Sequence, residues 1–208
     1  MTIRLHRRNI LGLVAACVFS LAASSTAFAA GTSADFVRTL AGRLVSIINS
    51  NASPGQAKSE VNPLLQQAID FDNIAKFCLG RYWNVATPDQ RTEYLGLFHQ
   101  ALTNAIMDKL GSYRGVRVKV TGTETLQQGA EGVSFILSRP QQPDAQMQLI
   151  VRKDGDSYKV VDLIGEGVSL RLTQSKDYNS FIARNGGKVE NLIRAMKNQV
   201  AHHDDPAN

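Results

Sequence analysis

The chain has 208 residues, of which 43% are hydrophobic and 20% are charged, and its formal net charge is +5. This apolar content is sufficient for a buried core, which excludes an intrinsically disordered chain. Two cysteines are too few for a disulfide-rich scaffold.

The first 29 residues have the three parts of a secretory signal peptide. Arg4, Arg7 and Arg8 precede an apolar run over residues 10–23, and Ala27-Phe28-Ala29 forms a cleavage site. The run is shorter than the ~20 residues that a transmembrane helix needs. We therefore expect cleavage and export to the periplasm.

Lipidation is the alternative fate of this segment. Val14-Ala15-Ala16-Cys17 has the form of a lipoprotein cleavage box, which would leave Cys17 at the new N-terminus. Apolar residues continue past Cys17 to the Ala-x-Ala site, and this favours simple cleavage. Cys78 is then the one cysteine of the mature chain, and its apolar neighbours predict a small buried side chain.

The mature chain, residues 30–208, is predicted to be one monomeric domain with a flexible polar tail at 202–208. Cleavage removes three of the 23 basic residues and none of the 18 acidic ones, so the net charge falls from +5 to +2. A nearly neutral chain without a basic run gives no reason to expect nucleic acid as a partner.

Helical periodicity predominates in the first half of the mature chain. Apolar residues from Phe36 to Ile48 predict a first helix, and Ser53-Pro54 with Gln56 predicts the capped start of a second. Pro63 either begins a new turn there or kinks the helix. A third, short helix is expected to end at Gly80.

The longest predicted helix begins at Thr87-Pro88-Asp89-Gln90, where Thr87 and Gln90 form a capping box. It ends near Gly111. The apolar period then changes from 3.6 to two residues, which predicts strands around 116–120, 133–137 and 147–153.

A tight turn at Asp154-Gly155 leads to a fourth strand, Tyr158–Ile164. Apolar residues at Val160 and Val161 break the alternation of this strand, so both of its faces are expected to be covered. Two helices follow, near Ser175–Ala183 and over residues 189–200.

The predicted order is a set of helices, then four consecutive strands in a meander, then two more helices. This order predicts an α+β domain. We expect a curved four-stranded antiparallel sheet packed on helices, like the nuclear-transport-factor-2 shape, with an apolar cavity between the two layers.

We find no recognisable pattern of catalytic or metal-binding residues. Ser169 lacks the bracketing glycines of a nucleophile elbow, and His99 is read as a core or half-exposed side chain. Asp72 is predicted to cap the third helix, while Glu166 is expected to cap a later helix or to meet a ligand. We predict no catalytic residue, no bound metal and no cofactor.

Two segments carry a more specific signal. The first contains Leu79-Gly80-Arg81-Tyr82-Trp83 and closes with Pro88-Asp89-Gln90-Arg91; the second is Gly165-Glu166-Gly167-Val168-Ser169-Leu170, followed by Arg184-Asn185-Gly186-Gly187. In order and spacing they resemble the MlaC, or toluene-tolerance, family of periplasmic lipid-binding proteins. The sequence departs from the family pattern at Asn84 and Tyr158.

The resemblance implies a non-enzymatic carrier with a phospholipid as its cargo. Such a carrier moves lipid between an outer-membrane lipoprotein and porin complex and an inner-membrane ABC transporter with an MCE-domain protein, and so maintains outer-membrane lipid asymmetry. A paralogue that carries a hopanoid or another terpenoid lipid is the nearest alternative.

The acyl chains are expected to contact apolar residues of the long helix and the strands. The predicted lining consists of Phe98, Leu102, Ile106, Val133, Phe135, Leu137, Leu149, Val151, Tyr158 and Val160. Arg81, Tyr82 and Trp83 are predicted at the mouth of the pocket, where Arg81 would meet a phosphate or form a structural ion pair.

Two alternatives from other classes stay open at this point. A small envelope enzyme in the same fold would need His99 or Asp162 to point into the pocket for proton transfer. A purely structural adaptor would have a filled core and no pocket.

Overall fold

The computed structural model describes residues 31–50 and 52–203. The predicted signal peptide with Cys17, and the last five residues of the predicted tail, lie outside these residues. The chain forms an α+β domain, as predicted. Its helices, in chain order, are α1 (Ser33–Asn49), α2 (Pro54–Ala68), α3 (Phe71–Leu79), α4 (Tyr82–Val85), α5 (Pro88–Leu110), α6 (Leu170–Arg184) and α7 (Val189–His203).

The helix starts follow the local capping signals. In α2, the Ser53 hydroxyl accepts from the Gln56 amide and the Gln56 side chain accepts from the Ser53 amide, and Thr87 and Gln90 repeat this arrangement at α5. Each box satisfies two amides that a helix leaves without an internal partner. Both predicted capping boxes are confirmed, and Pro63 lies within α2 without ending it.

One antiparallel sheet contains five strands in sequential order, where four were predicted. The strands are β1 (Arg117–Thr125), β2 (Ala130–Ser138), β3 (Ala145–Asp154), β4 (Ser157–Gly165) and β5 (Val168–Ser169). The additional strand has two residues, which is too short to show a period in the sequence. Gly155, in the turn between β3 and β4, has a φ of 57°.

The broken alternation of β4 has a local cause. Val151 pairs with Val160 and Ile150 pairs with Asp162, so Val161 is the additional residue of a β-bulge. Val160 contacts the cluster beneath α1 and α2, whereas Val161 packs against Ile150 in a separate cluster. This confirms the prediction that apolar residues of this strand are buried on both faces.

Helix α1 lies along the sheet. Near its N-terminus, Ser33 Oγ donates to Glu131 Oε2 at 2.5 Å, at the beginning of β2. Near its C-terminus, Asn49 Nδ2 donates to the Val116 carbonyl and Asn49 Oδ1 accepts from the Gly115 amide, just before β1. The helix therefore spans the distance from the Glu131 end of β2 to the end where β1 begins.

The last two helices differ from the sequence prediction in their extent. Helix α6 begins at Leu170, five residues before the expected start, because Ser169 caps it. Helix α7 includes His202 and His203, which were expected in the tail, and His203 Nε2 lies 2.9 Å from Asp108 Oδ1 of α5. Helix α7 therefore continues three residues beyond its predicted end.

Candidate functional site

One face of the sheet carries seven of the ten predicted lining residues. They are Val133, Phe135, Leu137, Leu149, Val151, Tyr158 and Val160. Residues directly opposite each other in an antiparallel pair share a face, and Val133 pairs with Leu149 as Val151 pairs with Val160. The others follow at steps of two along their strands. The structure therefore brings these seven together, and we call this surface the inner face.

Helices α1 and α2 cover part of the inner face. A packed cluster joins their apolar residues to the sheet, and its buried members are Phe36, Val37, Leu40, Leu64, Ala68, Val133, Val151 and Val160. Val133 and Val151 are completely inaccessible to solvent. This half of the inner face is a close-packed core.

The inner face becomes less tightly packed towards the other end of β2. Leu137 and Met147 are only half-buried. Phe135 is buried, yet neither it nor Leu137 belongs to any of the four packed clusters that the described residues form. This end of the inner face therefore lies outside the packed clusters of the described residues, and we call it the loose end.

The three predicted lining residues of α5 do not all reach the same region. Leu102 and Ile106 contact a small cluster around Val61, Leu65 and Phe71, and Leu102 also contacts the cluster that contains Phe98. Half-buried Leu44, Ile47 and Ile69 contact both that cluster and the inner-face cluster, and so connect the two.

Phe98 lies in a different core. Its ring centroid is 6.0 Å from that of Tyr94 and 6.4 Å from that of Tyr178. The Tyr94 hydroxyl donates to the Ala75 carbonyl at 2.8 Å, and burial raises the pKa of this hydroxyl. The structure thus places Phe98 in a helical cluster of α3 to α7 and apart from the strand residues.

The residues predicted at the pocket mouth also belong to this helical cluster. Tyr82 is buried in it, and Trp83 packs against it. Arg81 is exposed; its guanidinium lies 4.9 Å from the Tyr82 ring centroid and donates to the Tyr82 hydroxyl at 3.0 Å. Arg91 Nε donates to the Trp83 carbonyl at 2.9 Å. These contacts join α4 to its neighbouring residues and to α5.

Asp70, not Asp72, caps α3. Its Oδ1 accepts from the Asn73 amide at 3.1 Å, so the capping residue lies two positions before the predicted Asp72. Asp72 Oδ1 instead lies 2.8 Å from His99 Nε2, and the His99 ring packs on Phe71 with 4.6 Å between centroids. His99 is therefore held by contacts between α3 and α5.

Asp162 organises the start of α6, a role that sequence reasoning missed. Its Oδ1 accepts from the Leu163 and Arg171 amides, and its Oδ2 accepts from Ser169 Oγ at 2.6 Å. Ser169 Oγ in turn accepts from the Leu172 amide. Asp162 is paired with Ile150 on the sheet, away from the inner face.

Glu166 does not cap a helix, contrary to one of its two predicted roles. It is exposed in the turn between β4 and β5, with a φ of 50°. Ser169 and Asp162 supply the acceptors at α6. Serine is a preferred residue at helix N-caps, so Ser169 was a signal visible in the sequence. The contribution of Asp162 depends on the β4–β5 hairpin.

Helices α3 and α6, which adjoin the two motif segments, lie against each other. Asn179 Nδ2 donates to the Cys78 carbonyl at 3.0 Å, and Cys78 Sγ donates to the Arg171 carbonyl at 3.6 Å. A side chain at Gly80, whose φ is 56°, would come within 3.3 Å of Asn179. Cys78 is buried, and this burial raises the pKa of its thiol to about 12.

Two surface cavities of about 330 Å³ lie outside the inner face. One is between α6 and α7 and includes Tyr178 and Met196; the other includes Asp72, His99 and Lys159. Neither contains a predicted lining residue.

The described part of the chain has neither a cluster of three or more metal-binding side chains nor a helix with the length and hydropathy required to cross a membrane.

Comparisons with known proteins place this geometry in context. The sequence model of one family, described as MlaC protein, matches residues 38–198. A solved structure of a phospholipid-binding protein from Ralstonia solanacearum, in complex with a phospholipid, is similar in fold with a TM-score of 0.72. The match covers 84% of this chain and 100% of that one at 19% sequence identity.

Proposed function

The chain belongs to the MlaC family, and on this premise we propose that it is a periplasmic phospholipid carrier. The observation that supports the proposal most directly is the inner face, with its seven predicted lining residues on three strands and its loose end. The phospholipid in the Ralstonia structure is the ligand of that protein, and the similarity of fold motivates the same class of ligand here.

The energetics of the cargo explain what the protein must supply. A diacyl phospholipid has roughly thirty methylenes, and exposure of each to water costs about 0.8 kcal/mol, so the tails require roughly 25 kcal/mol of shielding. An apolar face beneath a helical layer provides this shielding. The acyl chains enter at the loose end, where fewer packed contacts have to be displaced.

The partners follow from the family rather than from any contact of this chain. We propose that the carrier receives lipid from one membrane complex and delivers it to another, between an outer-membrane lipoprotein and porin complex and an inner-membrane ABC transporter with an MCE-domain protein. His99 and Asp162 have structural partners on α3 and α6, so a carrier without acid–base chemistry fits their contacts better than an enzyme does.

Native mass spectrometry of the mature protein, purified from periplasm, tests the proposal. We expect one phospholipid for each monomeric chain. A terpenoid adduct would instead support the alternative cargo. A preparation that contains no lipid, and takes none from phosphatidylglycerol vesicles, would contradict a carrier.

A pair of substitutions tests the lining. Leu102→Gln combined with Phe135→Gln is expected to abolish co-purification of lipid while the protein still folds. Leu172→Gln, at a position that is 45% exposed, serves as the matched control. Unchanged lipid content in the double variant would remove these two residues from the proposed lining.

A further inference from the structure

On β2, the inner face has opposite charges at its two ends. Along β2 the odd-numbered residues from Glu131 to Leu137 share this face, and Arg139 continues the series one residue after the strand ends. Three apolar residues therefore separate a carboxylate from a guanidinium. Such a row is apolar between two ends of opposite charge, so the two ends differ in the headgroup that they would accept.

The carboxylate end is closed. Glu131 Oε2 accepts from Ser33 Oγ at 2.5 Å, and its Oε1 accepts from the Tyr158 hydroxyl at 3.3 Å. Ser33 is 1% exposed, and the adjacent Val133 is completely buried. An anionic group placed here would meet a carboxylate and would have to displace a close-packed core.

The guanidinium end has a different character. Arg139 is half-buried, and its guanidinium lies 5.1 Å from the Tyr113 ring centroid. Its Nε is shielded from solvent and donates to no acceptor among the described residues. A shielded donor without an acceptor is costly, and a bound anion would relieve that cost.

Arg139 differs from the other two arginines whose Nε is shielded in this way. Arg171 has a carboxylate nearby, since its Nε lies 3.8 Å from Asp162 Oδ2. Arg152 is opposite Ala130 in the β2–β3 pairing and so lies on the other face of the sheet. Of these three, Arg139 combines a position beside the loose end with a guanidinium that no described carboxylate pairs with.

The surrounding charge is mixed. Arg114 is exposed one residue after Tyr113, whereas Arg117 pairs with Ser138 and so lies on the other face of the sheet. The exposed carboxylates in this region are Asp144, in the β2–β3 loop, and Glu166, whose amide donates to the Gln146 carbonyl. No ion pair joins either of them to Arg139 among the described residues.

We infer that Arg139 binds the phosphate of the lipid headgroup, with Tyr113 holding the guanidinium in place, so that the acyl chains run from Leu137 towards Val133. The inference rests on the proposed carrier function. A guanidinium matches phosphate through two parallel N–H donors, and its stacking on an aromatic ring reduces the conformational freedom lost on binding. This assigns the phosphate to Arg139 and not to Arg81, which adjoins the helical cluster and donates to the Tyr82 hydroxyl.

Lipid-binding measurements on the mature protein and two variants test the assignment. Lipid-free wild type, Arg139→Gln and the control Arg38→Gln are titrated with short-chain phosphatidylglycerol and with diacylglycerol of the same acyl chains. Arg38 is a suitable control because it pairs with Asp35 near the closed end. We expect Arg139→Gln to weaken phosphatidylglycerol binding at least about tenfold and to leave diacylglycerol binding unchanged.

The other outcomes are distinct from one another. Wild type that binds neither lipid would contradict the carrier function itself. Wild-type binding with equal affinity in Arg139→Gln would contradict only the role of Arg139. Tight binding of inorganic phosphate by lipid-free wild type, lost in Arg139→Gln, would assign the site to free phosphate and would also overturn the inference.

A second measurement does not depend on the folding of a variant. Wild type is loaded with a phospholipid that carries a photoreactive group on its headgroup, irradiated, digested and analysed by mass spectrometry. Cross-links to peptides containing Tyr113 or Arg139 are expected. Cross-links confined to the peptides of Ser33 and Glu131, or of Arg81, would place the headgroup elsewhere.

Discussion

The helical cluster and the inner face are both apolar, but they are packed differently. In the helical cluster, Leu79 and Ile182 are completely buried, and the rings of Tyr94, Phe98 and Tyr178 contact one another. Along the inner face, burial falls from complete at Val133 to partial at Leu137. A region that only stabilises the fold is expected to be filled, whereas a region that exchanges an apolar ligand needs side chains that can move.

The largest expected effect is in the helical cluster. Leu79→Ala leaves a cavity among completely buried residues and should lower the free energy of unfolding by about 2–5 kcal/mol. Urea denaturation of the variant and the wild type measures this difference in the free energy of unfolding. The amount of lipid bound per folded chain should not change. If a fully folded Leu79→Ala protein bound less lipid, the helical cluster would also contribute to lipid binding. Leu172→Ala, which truncates an exposed leucine, is the control.

The next effect concerns the connection between the sheet and α6. Asp162→Ala removes the acceptor for two amides and one hydroxyl, and leaves Arg171 without its neighbouring carboxylate. We expect the free energy of unfolding to fall by about 3 kcal/mol. A change below roughly 0.5 kcal/mol in urea denaturation would mean that water replaces these bonds.

Leu137→Gln examines the loose end of the inner face. Because Leu137 is half-buried and outside the packed clusters, its replacement should cost less than about 1 kcal/mol of stability. Lipid occupancy should nevertheless fall, as judged by native mass spectrometry. The matched Val133→Gln, at the closed end, should instead unfold the protein. Equal effects of the two substitutions on stability would contradict the proposed difference in packing between the loose end and the closed end of the inner face.

The smallest effect is a pH dependence at the start of α1. A hydrogen bond from the Thr32 hydroxyl, followed by one from the Thr32 amide, lowers the pKa of Asp35 below its ordinary value. The carboxylate therefore stabilises the fold above the unfolded-state pKa, and this contribution is lost as the pH falls below roughly 4 through the lowered pKa.

Thermal unfolding of wild type and Asp35→Asn, from pH 6 to pH 3, measures this contribution. The difference between the two proteins should be greatest at pH 6 and should disappear at low pH. A difference independent of pH would show that the side chain acts through its shape and not its charge.

Much of this architecture could be predicted because its causes are local. Thr87 and Gln90 lie three residues apart, so the start of α5 follows from the sequence alone. The strands β2 and β3 show their alternation within their own residues, and this was sufficient to place Val133, Phe135 and Leu137 on one face.

The parts that could not be predicted depend on residues distant in sequence. Ser33 lies 98 positions from Glu131 and accounts for its closed end, and only the folded chain shows that Arg139 has no such partner among the described residues. Phe98 and Leu137 are both apolar in periodic segments, yet one lies among aromatic rings and the other at the loose end. Periodicity identifies which side of an element is buried, but not what covers it.

Most of the elements, their order, the α+β class and the family resemblance follow from local patterns of the chain, because capping and periodicity act over a few residues and the motifs are contiguous. Contacts of the folded chain account for the fifth strand, the role of Asp162, the division of apolar residues between the helical cluster and the inner face, and the different charges at the two ends of the β2 row. These features arise from contacts between segments that meet only when the chain folds, and their packing depends on the shapes of all the side chains involved.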